Sequence, residues 1–162
     1  MSIVNSFFKK NLINKGVDRY NKKPISIANY SPYKYFNKVL YISGQLPIVN
    51  GRLKYSGKIG NEINENDSED CVLICVSNIL WNVSDFLENT EEKIDVISCL
   101  NLRGFFNTVD NYEEHSKLLD KASTLIVEVL GSKHGKHSRL AIGCASLPKN
   151  SPVEIEAIFS IL

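Results

Sequence analysis

Three charged side chains, Arg139, Glu154 and Glu156, interrupt the stretch RLAIGCASLPKNSPVEIEAIFSIL (139–162). Its two apolar runs flank a Pro/Asn/Ser/Pro turn, a pattern that predicts a β-hairpin. Alternate residues of a strand share a face. Leu140, Ile142 and Cys144 therefore form one set and Arg139, Ala141, Gly143 and Ala145 the other. Likewise Val153, Ile155, Ala157, Phe159 and Ile161 oppose Glu154, Glu156, Ile158, Ser160 and Leu162. One face suits a cover of helices. The face assigned Arg139, Ala141, Gly143, Glu154 and Glu156 is too apolar for a solvated surface and too charged for a dry core. A sheet from a second subunit would cover it and leave crevices where those charges meet a ligand. A turn at Lys149 and Asn150 sets Glu154 opposite Ala145, with Arg139 roughly 20 Å further along. A site using both charges must then draw them from different subunits.

Other residues with chemical potential lie nearby. Lys133, His134, Lys136, His137 and Arg139 form a local basic patch with acid/base groups, which reads either as a solvated loop or as an RNA-cleaving surface. His134, His137 and Cys144 match no closed zinc ligand set. Cys71, Cys75, Cys99 and Cys144 each lie inside an apolar run, as reduced buried thiols do rather than a disulfide framework.

The elements that must position these groups follow from periodicity. The acid-free start, with Ile3, Phe7 and Phe8 set against Lys9, Lys10 and Lys15, predicts an N-terminal helical extension over 1–20, and it bears a mild likeness to a transit peptide. NKKPISIANYSPYKYFN reads as irregular extended chain. KVLYISGQLPI is strand-like, with Leu40 and Ile42 on one face and Val39, Tyr41 and Ser43 on the other. Asn50-Gly51 then marks a tight turn into a short strand. The acidic cluster NENDSED caps a helix from Ser68 to about Leu87, whose apolar residues recur at three and four. KIDVISCLNLRGFFN is a strand, and Asn111 with Glu114 forms a capping-box pattern for a helix that stops at Gly131. The order β-β-α-β-α-β-β predicts an α+β domain spanning 1–162, helices on one face of a mixed sheet.

With 162 residues, 43% hydrophobic and 23% charged, the chain has the composition of a soluble globular protein. A net charge of +1 lacks the basic excess of a dedicated nucleic-acid binder. No long run of consecutive apolar residues marks a membrane span. The expectation is a cytoplasmic protein, with an organellar destination as the lesser alternative.

NYSPYKYFNKVLYISGQLP resembles the tyrosine entry and SGQ-hydrophobic-Pro signature of the Rid/YjgF family. RLAIGCASLPKNSPVEIEAI is similar to its arginine strand and terminal EIEA strand. The resemblance runs from about Tyr30 to Leu162. It implies the chorismate mutase-like fold, a homotrimer with clefts between subunits, and hydrolysis of reactive enamines and imines bearing a carboxylate to 2-oxo acids and ammonia, without metal or cofactor. It also implies that Arg139 holds the substrate carboxylate, Glu154 orients the attacking water, and Tyr30, Ser43 and Gly44 line the cleft. Two positions depart from the pattern: Ala141 replaces a cysteine and Asp120 an asparagine, and an acid there would repel an anionic substrate. A metabolite-binding regulatory trimer needs the same arginine without Glu154 as a base, and RNA cleavage remains the third reading.

Overall fold

The computed structural model describes residues 3–19 and 29–162. Helix α1 (Ile3–Asn14) is followed by strands β1 (Tyr33–Phe36), β2 (Val39–Gln45), β3 (Ile48–Val49) and β4 (Arg52–Leu53) and by helix α2 (Glu65–Asn89). Then come β5 (Ile97–Asn107), α3 (His115–Leu130), the single turn α4 (Ser132–Gly135), β6 (Ser138–Cys144) and β7 (Val153–Ile161). Five strands form one sheet in the order β1-β2-β7-β5-β6, and β3 and β4 form a separate two-stranded ribbon. Asn50 and Gly51 both adopt positive φ (51° and 76°) between β3 and β4, as the Asn-Gly turn predicts.

The terminal hairpin does not form. β6 and β7 are not neighbours, because β5 lies between them, parallel to β6 and antiparallel to β7. The chain leaves β6 and turns at Pro148–Asn150, where Lys149 and Asn150 both take positive φ. It then crosses β5 to enter β7. A local turn pattern cannot tell a hairpin from a connection long enough to skip one strand. Glu154 is level with Phe105 rather than Ala145.

Helix α2 starts at Glu65, three residues before its expected start. Asn64 caps it by accepting a 3.0 Å hydrogen bond from the Asp67 backbone N–H, and Glu65 and Asp67 occupy the electropositive first turn. By length and composition α2 could cross a membrane, but 83% of its apolar window is buried inside the protein. That marks a core helix. Helix α3 begins only at His115, and neither Asn111 nor Glu114 makes a side-chain cap; the anticipated capping box is not used. Its end at Gly131, φ 78°, is as expected.

Both long helices pack on one sheet face, α2 over β2 and β7 and α3 over β5 and β6. Leu40, Ile42, Leu102, Phe106, Ile155 and Ala157 point into this layer. Helix α1 lies on the far side of the helices, where Phe8 and Leu12 are buried. Asn5 and Asn11 donate from Nδ2 to the carbonyls of Leu87 and Val129, which ties α1 to both long helices. Burying each such apolar side chain contributes about 1.5–3 kcal/mol. Strand β1 falls within the stretch read as irregular. Helix α1 stops at Asn14, short of the expected 1–20 span: Gly16 takes a positive φ of 68° and a single 3-10 turn follows over Val17–Arg19. Residues 1–2 and 20–28 lie outside the described residues.

Among the described residues, no helix packs on the opposite sheet face. Phe36, Tyr41, Leu140 and Ile142 stand exposed on it, between 40% and 66% accessible.

Candidate active site

The candidate residues fall into two groups at different places on the sheet. The first surrounds Glu154 on β7. Between Ile42 and Gln45 the register of β2 against β7 shifts by one residue, a β-bulge centred on Ser43 and Gly44. Each residue of the SGQ stretch has a task in it. Ser43 donates from its hydroxyl to the Ser31 carbonyl at 2.8 Å, and its backbone N–H donates to Pro32 at 3.0 Å. Gln45 donates from Nε2 to the carbonyls of Ser43 and Gly44, at 2.8 and 3.3 Å, so the carbonyls released by the bulge find a partner. Gly44 makes room: a Cβ there would collide with the Glu154 carboxylate. Tyr30, half exposed, immediately precedes the Ser31 to which Ser43 is bonded.

Glu154 is half-buried on the helix-free face and makes no hydrogen bond or ion pair among the described residues. Burial, and secondarily the neighbouring Glu156 charge, push its carboxyl above the usual carboxylate range. Glu156 has a partner of its own, Arg103 of β5, at 2.9 Å. Gln45 and Arg103 were not among the residues singled out from the sequence. Gln45 stood in view inside the signature, whereas Arg103 becomes significant only through the pairing of β5 with β7.

The second group surrounds Arg139 on the edge strand β6. Arg139 does not share a face with Glu154, contrary to the sequence-based expectation. It points to the helix side, where its Nη1 donates to Asp120 Oδ1 at 2.5 Å and to Ser123 Oγ at 3.3 Å, and its Nη2 donates to Ser116 Oγ at 3.0 Å. All three acceptors belong to α3. Ala141 likewise packs against the buried core. A Cβ on Gly143 would press on His115 of α3, and one on Gly104 of β5 would press on Leu119. The small residues of β5 and β6 thus let α3 lie close, which turns the bulkier Leu140 and Ile142 outward. The open apolar face is built from these residues, not from Ala141 and Gly143.

Arg139 is level with Leu102 and Ala157, three residues along from Glu154, and two strands away from β7. At about 4.8 Å per strand and 3.3 Å per residue the two Cα positions lie roughly 14 Å apart, on side chains directed to opposite faces. The spacing differs from the hairpin estimate, but one chain still does not join the two groups.

The histidines of the basic loop are engaged within the chain. His134 Nδ1 is 2.7 Å from Ser98 Oγ, and His137 contacts Ser123 Oγ through Nε2 at 3.1 Å and the Gly135 carbonyl through Nδ1 at 2.6 Å. Cys71, Cys75 and Cys99 are buried free thiols, and burial pushes Cys99 up to about 12. Cys144 is only partly buried.

A bulged second strand, a terminal strand bearing glutamates and two helices on one face of a mixed sheet define a chorismate mutase-like protein. Residues 10–160 match the family described as "YjgF/chorismate_mutase-like, putative endoribonuclease", and the chain is a member of this Rid/YjgF family. The crystal structure of Atu1372 from Agrobacterium tumefaciens, a protein of unknown function, is 34% identical with a TM-score of 0.82, covering 98% of this chain and 94% of that one. A crystal structure from Shewanella oneidensis MR-1, described as "a putative endoribonuclease", is 26% identical with a TM-score of 0.82, covering 96% and 99%. Escherichia coli TdcF with bound serine shares the fold at 16% identity, with a TM-score of 0.58 over 87% and 94% of the two chains.

Proposed function

We propose that this chain hydrolyses small carboxylate-bearing imines and enamines, in clefts between the subunits of a homotrimer. The observation that carries this reading is the Glu154 carboxyl: half-buried, raised in pKa, unpaired among the described residues, and seated against Gly44 where a side chain would collide with it. A carboxylate whose affinity for protons is raised suits general base and general acid work in turn.

The chemistry balances without further components. Glu154 takes a proton from water as the water oxygen attacks the iminium carbon, which gives a carbinolamine. The carboxylic acid so formed protonates the nitrogen, the carbon–nitrogen bond breaks to release ammonia, and the hydroxyl proton passes through the Glu154 carboxylate to the ammonia. An iminium ion and water become a 2-oxo acid and ammonium. Arg139 has five N–H donors and spends three on Asp120, Ser123 and Ser116. Its Nε–H and one Nη2 proton have no partner among the described residues and would hold the substrate carboxylate. Because the two groups lie on opposite faces of one sheet, a joint site takes Arg139 from one copy and Glu154 from its neighbour. The helix-free face with Tyr41, Leu140 and Ile142 is apolar enough to be buried by such a copy. The serine bound by TdcF has the α-carboxylate that this cleft would take. Cleavage of RNA fits less well, since both ring nitrogens of His137 are engaged inside the chain.

The test is subunit exchange. Arg139→Ala and Glu154→Gln proteins, each inactive alone, should regain part of the wild-type imine-hydrolysis rate once mixed trimers form. Mass spectrometry that demonstrates exchange while activity stays at zero would overturn the shared site, and a monomeric mass by light scattering would overturn the assembly.

A further inference from the structure

Asp120 is the feature of the Arg139 cluster that carboxylate binding leaves unexplained. It stands on the exposed face of α3, its side chain 61% accessible, and places Oδ1 on the Arg139 guanidinium. Oδ2 has no hydrogen bond among the described residues. The lysines that share its neighbourhood are committed elsewhere, Lys15 to Glu128 at 3.7 Å and Lys121 to Glu69 at 3.0 Å. Among the described residues no other cation claims the second oxygen.

The pair therefore presents two unspent functions side by side: two guanidinium protons of Arg139 and one carboxylate oxygen of Asp120. Their charges cancel, so a purely anionic ligand gains little net attraction and meets the Asp120 charge at close range. A ligand with a carboxylate next to a cationic nitrogen meets a partner for each. Resting on the reading of Arg139 as a carboxylate holder, we infer that Asp120 selects ligands bearing a positively charged nitrogen beside the carboxylate, that is 2-iminio and 2-ammonio acids, over 2-oxo acids of the same skeleton. This selection favours the protonated, electrophilic form of an imine and hastens release of the oxo-acid product, which has lost the nitrogen.

The experiment uses L-serine and hydroxypyruvate, which differ only at C2, where one bears an ammonium group and the other a carbonyl oxygen, as calorimetric probes of the full-length protein near neutral pH. The wild type should bind L-serine at least about fivefold more tightly than hydroxypyruvate, the scale of one partly exposed ion pair. Asp120→Asn should weaken L-serine and tighten hydroxypyruvate. If both probes weaken together in Asp120→Asn, or their ratio stays as in the wild type, Asp120 only orients Arg139 and the inference is overturned. Arg139→Ala separates the two claims. Loss of both probes in that variant with an unchanged ratio in Asp120→Asn keeps the carboxylate site and removes the selection. Retention of both in Arg139→Ala, or no binding by the wild type, removes both claims. Asp120 is exposed, so the substitution leaves the core untouched, and light scattering with circular dichroism verifies the fold.

Discussion

The centre and the edge of the sheet treat charge in opposite ways. On the central strand β7, beside the β2 bulge, Glu154 is half-buried without a partner among the described residues, and it is the proton affinity of the carboxyl that responds. At the β6 edge Arg139 is surrounded by acceptors on α3, and three of its protons are spent before any ligand arrives. The first arrangement suits a group that must exchange a proton, the second a group that must keep a fixed direction. A bulge and a glycine create the first, whereas a helix lying close over small strand residues creates the second.

The largest effect is expected where the unpaired carboxyl is removed. Glu154→Gln should lower kcat for imine hydrolysis by about 10²–10⁴-fold while ligand binding through Arg139 persists. In the wild type, the acid limb of the rate profile should lie at a higher pH than an ordinary glutamate gives. Unchanged kcat in the variant would reduce the contrast between the centre and the edge to one of packing.

An intermediate effect is expected at Gly44. A methyl group there meets the Glu154 carboxylate, so Gly44→Ala should displace that side chain and lower kcat by roughly tenfold or more, the loss that misplacing a reacting group brings. KM should change little. A matching loss in KM alone would mean that Gly44 shapes the binding surface rather than the base.

The smallest effect concerns stability, and its sign follows from the raised carboxyl. Ionising Glu154 costs more in the folded protein than in the unfolded chain, so it subtracts stability once pH rises past the unfolded pKa, and the full penalty is present above the folded one. Below the unfolded pKa both states hold the proton and the penalty vanishes. Glu154→Gln should therefore raise Tm slightly at pH 7 and not at pH 4, read by thermal melts at both values. Equal shifts at the two pH values would show that the carboxyl is not strained by its surroundings.

Much of this molecule is local and was legible in its residues. The Asn-Gly turn, the stop at Gly131, the core helix after Asn64 and the alternation of Leu40 and Ile42 follow from backbone preferences and periodicity that a few neighbouring residues determine. The resemblance of the SGQ stretch and of the EIEA strand to the family's signatures implied one cleft for Ser43, Gly44 and Glu154, and in the structure Gly44 and Glu154 lie against each other beside the bulge. What the chain's linear pattern left undecided was which strands meet and which phase of an alternation faces inward. Strand pairing is non-local: two apolar runs around a turn look the same whether they pair or admit a third strand. β5 entered between β6 and β7, separating Arg139 from Glu154 by a strand. The phase of β6 was set by α3, which lies close only over Gly104, Ala141 and Gly143 and so carries Arg139 to the helix side beside Asp120. Residue types supplied the charges, but contacts far apart in sequence decided which of them face one another, because packing is satisfied across elements and not along them.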